Sequence, residues 1–197
     1  AEAIGAFVLA AGGADVCNSG YLDWKHSTYD EVRRSLDLLN EAGRKLRAMG
    51  VNLHYHNHDF EFQNRLEGAG NKTIMEVTVA GLDPTCCDLC VDTAWVHRGL
   101  GLTKETAGKA AVWLREHASK IGYIHLKDWS ATAKSPKGED GFWTELGRGD
   151  VDNRACLEEI SRNERVRFVM WEQDASVIGA AESCRVSGEW VQRVGSW

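Results

Sequence analysis

Five times along its 197 residues the chain places an apolar run of strand length beside a segment with helical apolar spacing, and this alternation restricts the fold more than any other feature. The stretches are Ile4 to Ala10, Val51 to Phe62, Cys86 to Asp92, Ile121 to Asp128 and Val166 to Glu172, the second alternating histidines with Leu53, Tyr55 and Asn57 instead of running apolar. Near-continuous apolar runs suit strands buried on both faces. The first helix is marked by Val32, Leu36, Leu39, Leu46 and Met49 up to Gly50, with Ser27 and Thr28 set three residues before Asp30 and Glu31 in the manner of a capping box. Shorter helices are expected over Ile74 to Val79, Thr103 to Lys120, Asp152 or Asn153 to Arg162, and Ser176 to Val194. Such a chain predicts a parallel sheet covered by helices, open or closed as a barrel. With two prolines and no repeat or low-complexity tract, residues 1–197 are expected to form one domain.

Charge narrows the partners. The net charge is −6 and no Lys or Arg cluster accumulates, so neither nucleic acid nor an anionic membrane surface is an expected partner. No apolar run approaches the roughly 20 residues that span a bilayer. The opening Ala1 to Gly13 lacks the basic start of a signal peptide and is expected to be a strand entering the core. Cys86, Cys87 and Cys90 share one apolar run while Cys17, Cys156 and Cys184 are scattered, a spacing that suits reduced cytoplasmic thiols better than a disulfide scaffold or a zinc ribbon.

In sheets with βα units the functional groups gather where strands run out. His54, His56 and His58 alternate along the second run and so share one face if it is extended. That strand ends with His56 and His58, the next with Asp92, the fourth with His125 and Lys127, and the last with Glu172 and Asp174. Imidazole or carboxylate at four consecutive strand ends points to a metal site. Two imidazoles and two carboxylates suit Mn²⁺, Co²⁺, Zn²⁺ or Fe²⁺, whereas Mg²⁺ prefers more oxygen; Mn²⁺ is favoured. A loop of about twenty residues after Asp128 is longer than most connections and is expected to be functional.

The motifs His54 to Phe62, Asp92-Thr-Ala-Trp95, His125-Leu-Lys127-Asp128, Leu146 to Asp152 and Glu172-Gln-Asp174 occur in the order seen in the xylose-isomerase-like TIM barrels, and the chain resembles that superfamily over nearly its whole length. The group includes sugar phosphate isomerases and epimerases, inosose dehydratases and endonuclease IV type proteins. The resemblance implies a parallel (β/α) barrel of the TIM type, incomplete, whose five βα units match the last five of eight. It also implies metal ligands at His56, Asp92, His125 and Glu172. His56 stands where many relatives place a glutamate, which removes one of the paired carboxylates of a two-glutamate epimerase.

The implied activity is that of a divalent-metal-dependent isomerase or epimerase of a sugar, keto-sugar or sugar phosphate, abstracting a proton next to a carbonyl through a metal-stabilised enediolate. Glu172 and His58 are the candidate catalytic residues. Trp95, His97, Lys127, Trp129, Trp143 and Arg148 are candidate substrate contacts, the indoles for stacking on a sugar face and the cations for hydroxyls or a phosphate. A lyase of the inosose-dehydratase type is the alternative enzyme, and a truncated binding or structural subunit the non-catalytic one. Because the first three barrel units have no counterpart in these residues, a fragment of a longer protein or completion by another copy is expected.

Overall fold

The computed structural model describes residues 1–20, 28–101 and 106–195. The chain falls into two compact units, Ala1–Val91 with Ser119–Tyr123 and Asp92–Ala118 with Ile124–Trp197.

In the first unit, α1 (Glu2–Ala10) occupies the stretch read as an opening strand. A short apolar run carries no periodicity that separates strand from helix, and this one contains Ala3, Ala6 and Ala10, which favour helix. Its burial differs as well: Gly5 is buried, while Ile4, Phe7 and Leu9 are exposed. The first strand, β1, is instead Asp15–Asn18. It pairs in parallel with β2 (Asn52–His56), Cys17 opposite His54.

Between them runs α2 (Tyr29–Ala48), which buries Val32, Leu36, Leu39 and Leu46. Its start uses Thr28 and Glu31 reciprocally: the Thr28 N–H donates to Glu31 Oε2 at 2.7 Å and the Glu31 N–H to Thr28 Oγ1 at 3.3 Å. Ser27 lies outside the described residues. Its end places Gly50 at φ 83°, so that the N–H groups of Gly50 and Val51 reach back to Arg47 and Leu46. That turn delivers the chain directly into β2.

The histidine run is extended only through His56; Phe60–Gln63 is the short helix α3, so His58 lies in the turn between them rather than on the strand. The next helix, α4 (Ile74–Gly81), is capped reciprocally by Thr73 and Glu76. It precedes β3 (Cys87–Asp92), which pairs in parallel with β2, Cys90 opposite His56. The amino half of β4 (Ile121–Leu126) completes this unit.

The second unit begins where β3 ends. Thr93–Leu100 forms α5, correcting the expected loop through Trp95 and His97, and Lys109–Glu116 forms α6, shorter than expected. Thr103, the expected start of that helix, lies outside the described residues. The expected long loop after Asp128 is also corrected: β5 (Asp128–Lys134) and β6 (Asp140–Thr144) form an antiparallel hairpin with Trp129 opposite Trp143. A turn around Gly138 at φ 81° fits the reversal, and polar, half-exposed strands leave little apolar signal in the sequence. Asp152 caps α7 (Asn153–Ser161), then follow β7 (Phe168–Trp171) and α8 (Ala180–Val194).

Among the described residues the main sheet is parallel, with strand order β1-β2-β3-β4-β7. It is the sheet of an incomplete (β/α) barrel, five strands against the eight of a full one. No disulfide joins the six cysteines.

Candidate metal centre

Asp92 is the last residue of β3 and the cap of α5 at once. Its Oδ1 accepts the N–H groups of Ala94 at 3.0 Å and Trp95 at 2.9 Å, which fixes the carboxylate against the helix start. Its Oδ2 lies 3.5 Å from the Lys127 ammonium. Burial pushes the Asp92 carboxyl up, against the downward pull of Lys127.

Glu172 follows β7, and its N–H donates to the Leu126 carbonyl at 3.0 Å, tying the ends of β7 and β4 together. Burial also raises the Glu172 carboxyl, with Lys127 opposing and Asp92 adding to the rise. His125, on β4, completes the group: Asp92, His125 and Glu172 each offer a ligand atom, and these atoms lie within 4.8 Å of one another. One imidazole and two carboxylates drawn together, the carboxylates in surroundings that disfavour their charge, fit a divalent cation.

Lys127 follows β4 directly, at the strand end where the sequence puts it. Two residues past His125, it is fully buried, with Nζ 2.7 Å from Glu172 Oε2 and in contact with Asp174 as well as Asp92. Its N–H donates to Thr93 Oγ1 at 3.1 Å and its carbonyl accepts from Asn153 Nδ2 at 3.0 Å, so the backbone is clamped beneath the charge. Those carboxylates raise its pKa even though burial works the other way.

The indoles stand around the same ammonium. Trp95 and Trp143 meet edge to face with ring centroids 4.7 Å apart, and Lys127 Nζ lies 4.3 Å from the Trp143 ring centre and 5.0 Å from that of Trp95. The Arg98 guanidinium lies 4.7 Å from the Trp95 ring centre and 5.4 Å from that of Trp129, which is itself buried. His97 is buried on α5 rather than solvated in a loop, and burial lowers its pKa. Arg148 is more than half exposed, with its guanidinium 3.7 Å from Glu145.

Asp128 organises the glycine-rich loop between β6 and α7. Its carboxylate accepts N–H groups from Trp129 at 2.9 Å, Gly147 at 2.9 Å, Gly149 at 3.0 Å and Val151 at 3.2 Å. Burial nevertheless pushes its pKa up to about 6. A Cβ on Gly149 would stand 2.1 Å from Asp128 Oδ1, so glycine is required by close approach. The sequence signal was present, an acid at a strand end and a Gly-x-Gly some twenty residues later, but nothing in the spacing says that one grips the other.

In the first unit, His56 closes β2 and is buried, with its ring centroid 5.2 Å from that of His58. The His58 N–H donates to Glu61 Oε2 at 2.8 Å, its ring stacks on Phe60, and its Nδ1 lies 3.9 Å from Glu61 Oε1. Glu61 is fully buried and also takes the Tyr55 hydroxyl; burial pushes its carboxyl up to about 7. It was missed because a glutamate in a strand-like run has no distinguishing spacing. His54 is a core residue, its Nε2 2.9 Å from Asp15.

The sequence matches the family model for xylose isomerase-like TIM barrels over residues 1–186. The chain belongs to that family. Among solved structures, a sugar phosphate isomerase/epimerase from Parabacteroides distasonis superposes with TM-score 0.73 at 16% identity, covering 92% of this chain and 60% of that one. A xylose isomerase-like TIM barrel protein from Mycobacterium smegmatis, in complex with magnesium, gives TM-score 0.65 at 14% identity, covering 97% and 64%. A probable 3-DHS dehydratase from Bacillus anthracis gives 0.65 at 10%, covering 100% and 69%. At these identities the likeness is one of fold. The chain spans about three fifths of the length of the first of these structures. Among curated proteins, none matches it by sequence. No helix among the described residues is long and apolar enough to cross a membrane.

Proposed function

We propose that this chain carries the metal-binding part of a divalent-metal-dependent isomerase or epimerase acting on a sugar, keto-sugar or sugar phosphate in the cytoplasm. The observation that carries the reading is the convergence of Asp92, His125 and Glu172 to within 4.8 Å. An imidazole among the donors favours Mn²⁺ over Mg²⁺. A divalent ion held there would polarise adjacent carbonyl and hydroxyl oxygens of the substrate.

The chain's own groups do the rest. Glu172 takes the proton from the carbon beside the carbonyl, leaving an enediolate, and gives a proton back to carbon when the carbonyl re-forms. Lys127 stands beside Glu172 and offers positive charge to the developing oxyanion. Trp95, Trp129 and Trp143 form the apolar wall for the sugar, with His97 and Arg148 as polar contacts. Another copy of the chain is the proposed partner.

A lyase is the second reading, favoured by the fold likeness to a dehydratase: the same enediolate can expel a β-hydroxyl as water. Incubation of the Mn²⁺-supplemented protein with a panel of ketoses and ketose phosphates in D₂O separates them. Deuterium at the carbon next to the carbonyl with no loss of water supports isomerase or epimerase; loss of water supports the lyase; no exchange with any sugar contradicts both.

A further inference from the structure

The Lys127 ammonium sits where charge balance in the second unit is decided. Three carboxylates face it, Asp92 at 3.5 Å, Glu172 at 2.7 Å and Asp174, a formal charge of −2 when all three are ionised. A divalent cation brings that sum to zero. Two of the three, Asp92 and Glu172, are the carboxylates that converge with His125. An ammonium within contact of both is a competitor for the same oxygen atoms.

The rest of its environment gives Lys127 somewhere to go. Nζ is flanked by the Trp143 and Trp95 rings at 4.3 and 5.0 Å, and it also contacts Asp174, which is nearly half exposed where Asp92 is fully buried. An ammonium that lets go of Asp92 and Glu172 keeps one carboxylate and two aromatic faces, all of which accept a cation. The clamp by Thr93 and Asn153 holds the Lys127 backbone in place while the side chain moves.

We propose that Lys127 is a built-in stand-in cation: it holds Asp92 and Glu172 together before the metal arrives, and cedes them to the metal, retreating toward Asp174 and the Trp95–Trp143 pair. The proposal rests on the metal-centre reading above. Its consequence is that metal affinity is set partly by competition with a residue of the chain, a selectivity device that holds weakly charged ions out and admits divalent ones.

The test is Mn²⁺ binding by titration calorimetry to the wild-type chain and to Lys127→Met, which keeps the stem and removes the charge. One unit charge removed from about 4 Å of the site predicts affinity at least about tenfold tighter in the variant. Without metal the variant should melt well below wild type, because buried carboxylates lose their counter-charge; saturating Mn²⁺ should close that gap. Equal or weaker Mn²⁺ binding by the variant overturns the proposal and leaves the metal centre standing. A variant that stays unfolded with saturating Mn²⁺ overturns it too, since the metal must be able to take over the lysine's part. Mn²⁺ bound by neither protein sinks the metal centre itself.

Discussion

Glu61 offers a sharp test of how burial governs the turn that carries His58. The perturbation is Glu61→Gln, which keeps the size of the side chain and an acceptor for the Tyr55 hydroxyl. A carboxyl raised from 4.5 to about 7 is costlier to ionise in the folded chain than in the unfolded one by about 3 kcal/mol, at about 1.36 kcal/mol per pH unit. The sign follows: the folded pKa lies above the unfolded one, so the contribution is fully present below pH 4.5 and is lost as the pH rises through 7. Glutamine escapes that loss and instead leaves the His58 N–H without its carboxylate partner at every pH, a constant cost of about 1–3 kcal/mol. Urea unfolding of both proteins at pH 5 and pH 8 isolates the titrating part. The stability of the variant relative to wild type should rise by roughly 2–3 kcal/mol between the two. A difference that stays flat with pH would refute the claim that Glu61 is held against its charge.

Three further outcomes follow from the packing. Gly149→Ala places a methyl 2.1 Å from Asp128 Oδ1 and 2.5 Å from the Trp129 carbonyl; a loss of about 1–3 kcal/mol in chemical denaturation is expected, and unchanged stability would show that the loop gives way freely. Thr28→Ala removes the reciprocal cap of α2 and should cost about 1 kcal/mol in the same assay, with an effect below a few tenths counting against the cap. Ile4, Phe7 and Leu9 on α1, and Phe168, Val169 and Met170 on β7, are exposed apolar side chains. Light scattering after size exclusion should therefore find this chain self-associated, and a monomer at all concentrations would contradict completion by another copy.

What the sequence made legible was periodic or chemical. The spacing of Val32 to Leu46 and the Thr28–Glu31 offset foretold α2 because an amphipathic helix and its cap are both local patterns. Asp92, His125 and Glu172 were readable as a group because each is the polar residue that interrupts an apolar run where a parallel strand stops. α1 was not readable, since an apolar run without period fits strand and helix alike and its side chains escape burial. The hairpin of β5 and β6 was hidden by its polar composition, and the dual role of Asp92 as cap and candidate ligand needed the position of α5. Lys127 was the hardest: a lysine at a strand end is ordinarily solvated, and only the three carboxylates and two indoles around it explain why it is buried.

The central claim is that Asp92, His125 and Glu172 are ligands of one divalent ion. Elemental analysis of protein dialysed against Mn²⁺, then against metal-free buffer, tests it on wild type, Asp92→Asn and His125→Ala side by side. About one Mn²⁺ per wild-type chain, lost from both variants while their folded signals by circular dichroism persist, is the predicted result; Mn²⁺ absent from wild type, or retained equally by both variants, would contradict it.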